Sequence, residues 1–154
     1  MIEIVTPPRV ETRLEIPTFG IREVTPYRGL LKRADELLRE ARASGIEPVG
    51  FGYLRLYVVD MSGDMEIESG FVVDPAEANG SFPAGDYAAL TYRGTGIPAT
   101  KALFAWVDEQ GVELDRKGDT FACRYERFLT DPKVEPRKKQ RDIEVAMKVA
   151  ATVG

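Results

Sequence analysis

The stretch Leu54-Arg55-Leu56-Tyr57-Val58-Val59-Asp60 returns as a pattern in Tyr125-Glu126-Arg127-Phe128-Leu129-Thr130-Asp131, 71 positions further along the chain. Working outward, an offset of 66 sets Pro17 on Pro83, Thr25 on Thr91, Leu37 on Leu103, Gly45 on Gly111 and Glu47 on Glu113. An offset of 76 sets Ile67 to Val73 on Ile143 to Val149. The offset grows where loops lengthen. Self-similarity in a fixed order marks a duplicated supersecondary unit. The chain therefore reads as one domain, 1–154, made of a first repeat over about 8–76 and a second over about 79–150.

Each unit has the same predicted order. In the first, Thr25 caps a helix that opens on Pro26, and Leu30, Leu31, Ala34, Leu37, Leu38 and Ala41 recur at helical spacing until Gly45 stops it. In the second, Pro98 opens, Thr100, Leu103, Phe104 and Val107 form the stripe, and Gly111 closes. Extended segments precede the helices at Phe19 to Val24 and Tyr87 to Tyr92. Two more follow each, near 51–60 and 65–73, then 120–130 and 141–149. A leading extended stretch, about Arg9 to Ile16, has its counterpart in the run from Phe71 towards Pro83. The fold class is α+β: a tandem pseudo-symmetric β-α-β-β repeat, antiparallel sheet against helices, with a central ligand cleft where the units meet.

Alternation along the strands selects candidate site residues. Leu54, Leu56 and Val58 form the aliphatic face expected under the helix, which leaves Tyr53, Arg55 and Tyr57 on the other. The 71-residue offset carries this over, with Tyr125, Arg127 and Leu129 towards the helix and Arg124, Glu126 and Phe128 away from it. Arg127 fits that inner face only by snorkelling its guanidinium outward. Aromatic walls around one acid suit a flat, lipophilic or cationic ligand. The competing reading is a solvated sheet face, with Glu126 paired to Arg55 or Arg124. Tyr87 and Tyr92 have opposite parity, and Tyr92 is assigned to the cleft. Trp106 falls where the first helix has Glu40, off the apolar stripe, which suits cleft lining as well as the edge of a core.

Composition narrows the chemistry. The chain has 44% apolar and 30% charged residues of mixed sign, as an ordinary globular protein does. A net charge of −4 argues against a polyanion binder, and the basic run Arg137 to Arg141 reads as a solvated loop. The chain contains no histidine, which removes Ser-His-Asp and Cys-His nucleophiles and His-ligated zinc or haem. The single cysteine, Cys123, reads as a small strand residue. No long apolar run or leader pattern is present, so the expectation is a cytoplasmic protein with no metal and no cofactor.

Pro83-Ala84-Gly85-Asp86-Tyr87, Tyr92-Arg93-Gly94-Thr95-Gly96, Phe104-Ala105-Trp106-Val107, and Tyr125 through Pro132 with Ile143-Glu144-Val145 resemble the GyrI-like family, most clearly over about 83–149. That family supplies the effector-binding modules of multidrug-sensing transcription activators, and it shares its fold with the SOUL-type haem-binding proteins. The resemblance implies a cleft for lipophilic, often cationic, compounds, with Glu126 at the family's central glutamate. Some members resemble hydrolases that open cyclopropane-bearing molecules with a glutamate and a tyrosine. This chain has Phe128 where the family commonly has tyrosine. It also places Lys133 to Gln140 where the family has an acidic, tryptophan-containing stretch, which sets positive charge in place of a lid aromatic and works against cationic ligands.

The expected function is a stand-alone small-molecule-binding protein for lipophilic, aromatic or cationic compounds, with Tyr53, Arg55, Tyr57, Tyr92, Trp106, Glu126 and Phe128 at the ligand. One alternative is a hydrolase using Glu126 with a cleft tyrosine, Tyr57. Another is a protein-binding regulator of the gyrase-inhibitor type. The partner expected is a lipophilic small molecule, with no membrane and no direct nucleic-acid contact; a protein partner or a homodimer stays open.

Overall fold

A computed structural model of the protein describes residues 2–151. The strands are β1 (Glu3–Arg13), β2 (Ile16–Pro26), β3 (Gly52–Val58), β4 (Asp64–Val72), β5 (Gly80–Phe82), β6 (Gly85–Arg93), β7 (Arg116–Lys117), β8 (Thr120–Phe121), β9 (Arg124–Phe128) and β10 (Ile143–Lys148). The helices α1 (Leu30–Ala43) and α2 (Gly96–Gln110) make this an α+β fold. The strand order is β1-β6-β10-β9-β3-β4-β2-β5, and every pairing is antiparallel; the β7–β8 hairpin joins off this path through β3. Among the described residues no helix is long and apolar enough to cross a membrane.

The leading strands pair across the molecule. β1 precedes β2 in the chain but pairs with β6, and β5 precedes β6 but pairs with β2. β1 is an edge strand, and its register slips between Ile4 and Arg9 around Pro7 and Pro8, which lack the N–H a central strand must donate. Gly20 and Gly70 face each other on β2 and β4. A Cβ on Gly70 would strike the backbone carbonyl of Phe19, so only glycine permits this approach.

The helix stops fall where the glycines predict. Gly45 and Gly111 take left-handed φ values of 87° and 66° just past α1 and α2. The start of α1 differs from expectation: Thr25 and Pro26 remain in β2 opposite Met65 and Asp64, and the helix opens after Gly29. The β2–β4 ladder engages Thr25 before it could act as a cap. The segment expected over 120–130 is likewise divided into β8 and β9.

α1 buries Ala34, Leu37 and Ala41, and α2 buries Ala99, Leu103 and Val107. Leu37 packs with Leu54, Met65 and Ile67, while Leu103 packs with Ala88, Leu90, Tyr92, Val145 and Met147. Truncating either leucine to alanine should cost about 2–5 kcal/mol.

The face turned away from the helices is also closed. Phe82 on the edge strand β5 stacks on Tyr125 of β9 with ring centroids 3.9 Å apart, although β3, β4 and β2 separate those strands in the sheet. The sheet therefore curls into a half-barrel. Tyr53, Phe82, Tyr87, Ala89, Cys123, Tyr125 and Ala146 fill its inside.

Candidate functional site

The β3–β9 register decides which side chains can share a site. Leu54 lies opposite Glu126 and Gly52 opposite Phe128, whereas Tyr53 lies opposite Arg127 and Arg55 opposite Tyr125. Directly opposed residues of an antiparallel pair project from the same face. Glu126 and Phe128 therefore join Leu54 under the helices, and Tyr125 and Arg127 join Tyr53 and Arg55 inside the half-barrel. This corrects the faces expected from the 71-residue offset by one position, and a one-residue slip exchanges the two faces of a strand.

Around Glu126, side chains from three strands and a helix converge. The Tyr92 hydroxyl donates to Glu126 Oε1 at 3.1 Å from β6, with β10 between their strands. Tyr92 is 1% exposed. The start of α2 abuts this pair, because a Cβ on Gly96 would lie 3.1 Å from both Glu126 Oε1 and Tyr92 Oη. Burial pushes the Glu126 carboxyl above the ordinary carboxylate range, against the opposing pull of the Tyr92 hydrogen bond and the Arg124 charge. Burial and the neighbouring carboxylate likewise push the Tyr92 hydroxyl well up, so it stays a donor.

Arg124 lies two residues before Glu126 on β9 and so shares its face. Its guanidinium stands over Phe121 at 4.9 Å and Phe104 at 5.5 Å, and burial lowers its pKa to about 10. Phe128 is half-buried against the α1 cluster, and Trp106 is half-buried against the α2 cluster. Val59 touches both clusters and joins the two halves of this face.

The remaining expected site residues lie on the other face. Tyr53 is 0% exposed and its hydroxyl donates to Glu68 Oε2. The Tyr57 hydroxyl donates to Glu68 Oε1 at 3.0 Å, and its ring is sandwiched by Arg22 at 3.6 Å and Arg55 at 4.4 Å. Arg55 donates to the Ser81 and Ala122 carbonyls, each at 2.9 Å. The structure thus brings Glu126, Tyr92 and Phe128 to one face and holds Tyr53, Arg55 and Tyr57 on the other. Arg127, expected to snorkel from the helix side, instead pairs with Glu144 at 2.8 Å on the inner side. Arg124 enters the helix-side group as more than a counter-ion; its position two residues from Glu126 was the available sequence signal.

Open hollows of about 210 and 280 Å³ lie beside Phe121 and beside Arg93, and Glu126 lines neither. No group of three or more carboxylates and thiols able to hold a metal ion occurs among the described residues.

No protein-family model matches the chain, and no curated protein matches it in sequence. Solved structures do match. The C-terminal domain of EcmrR aligns with a TM-score of 0.66 at 15% identity, over 97% of this chain and 100% of that one. The fold is that of the GyrI-like effector-binding domains. SAV2435 bound to tetraphenylphosphonium aligns with a TM-score of 0.65 at 11% identity, over 94% of each chain. EcmrR in its complex with DNA gives 0.72 at 15% identity, over 96% of this chain and 59% of that longer one. At these identities the likeness to GyrI-like domains is one of fold, and the chemistry must come from the residues present here.

Proposed function

We propose that the chain is a small-molecule-binding module for lipophilic aromatic compounds, seated on the helix side of the sheet around Glu126. The observation that carries this reading is the Tyr92–Glu126 pair, a carboxyl and its donor placed among apolar and aromatic side chains and abutting the start of α2. A half-buried carboxyl whose pKa is raised by desolvation is costly to keep among apolar side chains unless it serves something. Here it offers a polar group that a ligand can engage, with Phe128 and Trp106 as aromatic walls.

The two halves are read as copies of one unit, with the groove between α1 and α2 as the seat and the floor made by Leu54, Leu56, Glu126 and Phe128. SAV2435 carries an aromatic ion on the same fold, which supports a small molecule as the partner. DNA contact in EcmrR belongs to a longer chain, and none is part of this reading.

The test is a titration of the protein and its Glu126→Gln variant with polyaromatic compounds of positive, zero and negative charge, followed by Trp106 fluorescence and by mass spectrometry of the ligand. Saturable binding that changes in the variant, with the ligand recovered intact, is the expected result. Saturable binding indifferent to Glu126 would remove the carboxyl from the site, and chemical turnover would replace a binder with an enzyme.

A further inference from the structure

The charges around Glu126 and their partners bear on which ligands this face selects. Arg124 and Arg116 place their guanidiniums over the same two rings: Arg124 as given above, and Arg116 at 4.5 Å from Phe121 and 5.8 Å from Phe104. Among the described residues neither has a carboxylate at salt-bridge distance. Arg116 donates to a neutral acceptor, the Gly118 carbonyl, at 2.9 and 2.7 Å. Asp115, the nearby acid on that rim, is engaged by Lys148 at 3.3 Å.

The start of α2 adds to this imbalance. Its first turn contains no acidic residue and Thr95 makes no side-chain cap, so the carboxyl that meets the positive end of the helix dipole is that of Glu126, beside Gly96. Arg124 and the helix N-terminus therefore stand by the Glu126 carboxyl, whose charged form is disfavoured by burial, and Arg116 lies beside Arg124 over the same rings. The open hollow beside Phe121, lined by Arg116, Lys117, Thr120 and the Lys148-paired Asp115, gives an anionic group a place next to the tilted Phe104 and Phe121 rings.

We infer that this face selects aromatic anions, with a carboxylate, sulfonate or comparable group set towards Arg124 and Arg116, over aromatic cations of the same size and shape. The inference rests on the reading of the helix side as the ligand face. A cation seated against Phe104 and Phe121 would meet the Arg124 and Arg116 guanidiniums, and desolvation would sharpen that repulsion.

Tetraphenylborate and tetraphenylphosphonium provide the test, being nearly matched in shape and opposite in charge. Isothermal titration of the wild-type chain should show the borate binding at least tenfold more tightly. That preference should collapse in Arg124→Gln and shrink in Arg116→Gln; Arg116 is exposed, so its loss leaves the fold intact even if the Arg124 variant is unstable. Equal affinities, a tighter phosphonium, or a preference unchanged in both variants would overturn the inference and leave the helix-side site standing. Binding of neither ion would count against both.

Discussion

Tyr92 on β6 reaches past β10 to hydrogen-bond Glu126 on β9, linking strands that do not pair directly. This bond opposes the upward push of burial on the carboxyl. Removing the hydroxyl in Tyr92→Phe should raise the Glu126 pKa further and cost about 1 kcal/mol of stability. A carbon-detected NMR titration of the glutamate carboxyls would reveal an unchanged midpoint if the bond carries no weight.

The same carboxyl gives stability a defined pH dependence. A carboxyl whose folded pKa lies above its unfolded value binds its proton more tightly in the folded chain. Its contribution is therefore greatest in acid and declines as pH rises from the ordinary value of 4.5 through the raised one. Glu126→Gln, which cannot ionise, should lose that decline and be at least as stable as wild type at neutral pH. Urea unfolding at several pH values checks the sign, and a variant less stable than wild type at neutral pH would contradict it.

Glu144 behaves in the opposite sense. It is 0% exposed and receives Arg9 at 2.7 Å, Arg13 at 2.8 Å and Arg127 at 2.8 Å, tying β1 and β9 to β10. Burial alone would raise its pKa, but the hydrogen bond from Arg127 and the charges of Arg13 and Arg127 outweigh it and hold the carboxyl below 4.5. Its stabilisation is thus present above 4.5 and lost as pH falls through the lowered value. Glu144→Gln should cost about 1–3 kcal/mol, since it leaves half-buried Arg127 without its carboxylate while Arg9 and Arg13 retain Glu11. The acid limb of the stability profile should flatten with it.

Which side of each strand faces the helices was only half legible in the residues. Leu54 and Leu56 against Tyr53, Arg55 and Tyr57 separate cleanly and β3 folds with that division, but a bulge after Leu56 sets Val58 opposite Glu66 and leaves Val59, not Val58, packed with the helix-side clusters. β9 does not permit it, because both faces of the sheet are covered: helices on one side, the aromatic stack of Phe82 and Tyr125 on the other. An apolar residue then has two buried destinations, and alternation alone does not choose between them. Tyr125 went inside the half-barrel, and Glu126 went under the helices with Tyr92 as its donor. The pairing of β1 with β6 and of β5 with β2 left no local mark, since it depends on contacts between distant segments. The helix stops at Gly45 and Gly111 did leave one, because a left-handed residue after a helix is a local requirement.

The Gly20–Gly70 contact between β2 and β4 should be intolerant of any side chain. Gly70→Ala would drive a methyl into the Phe19 carbonyl and the Gly20 backbone, with an expected cost of about 1–3 kcal/mol or more from overpacking. A thermal unfolding midpoint equal to wild type would show that the strands separate freely.

Tyr57→Phe distinguishes the two faces. The substitution leaves Glu68 with one donor fewer and should cost about 1 kcal/mol, while ligand affinity on the helix side stays at its wild-type value. Phe128→Ala, on the helix side, should weaken binding. An affinity that follows Tyr57 and ignores Phe128 would move the site inside the half-barrel.

The most direct measurement is an NMR map of aromatic and methyl resonances during titration with whichever tetraphenyl ion binds more tightly. The account predicts shifts concentrated on Leu54, Leu90, Tyr92, Leu103, Trp106 and Phe128, with Tyr53, Phe82 and Tyr125 unmoved. Shifts concentrated on Tyr53, Phe82 and Tyr125 would contradict it.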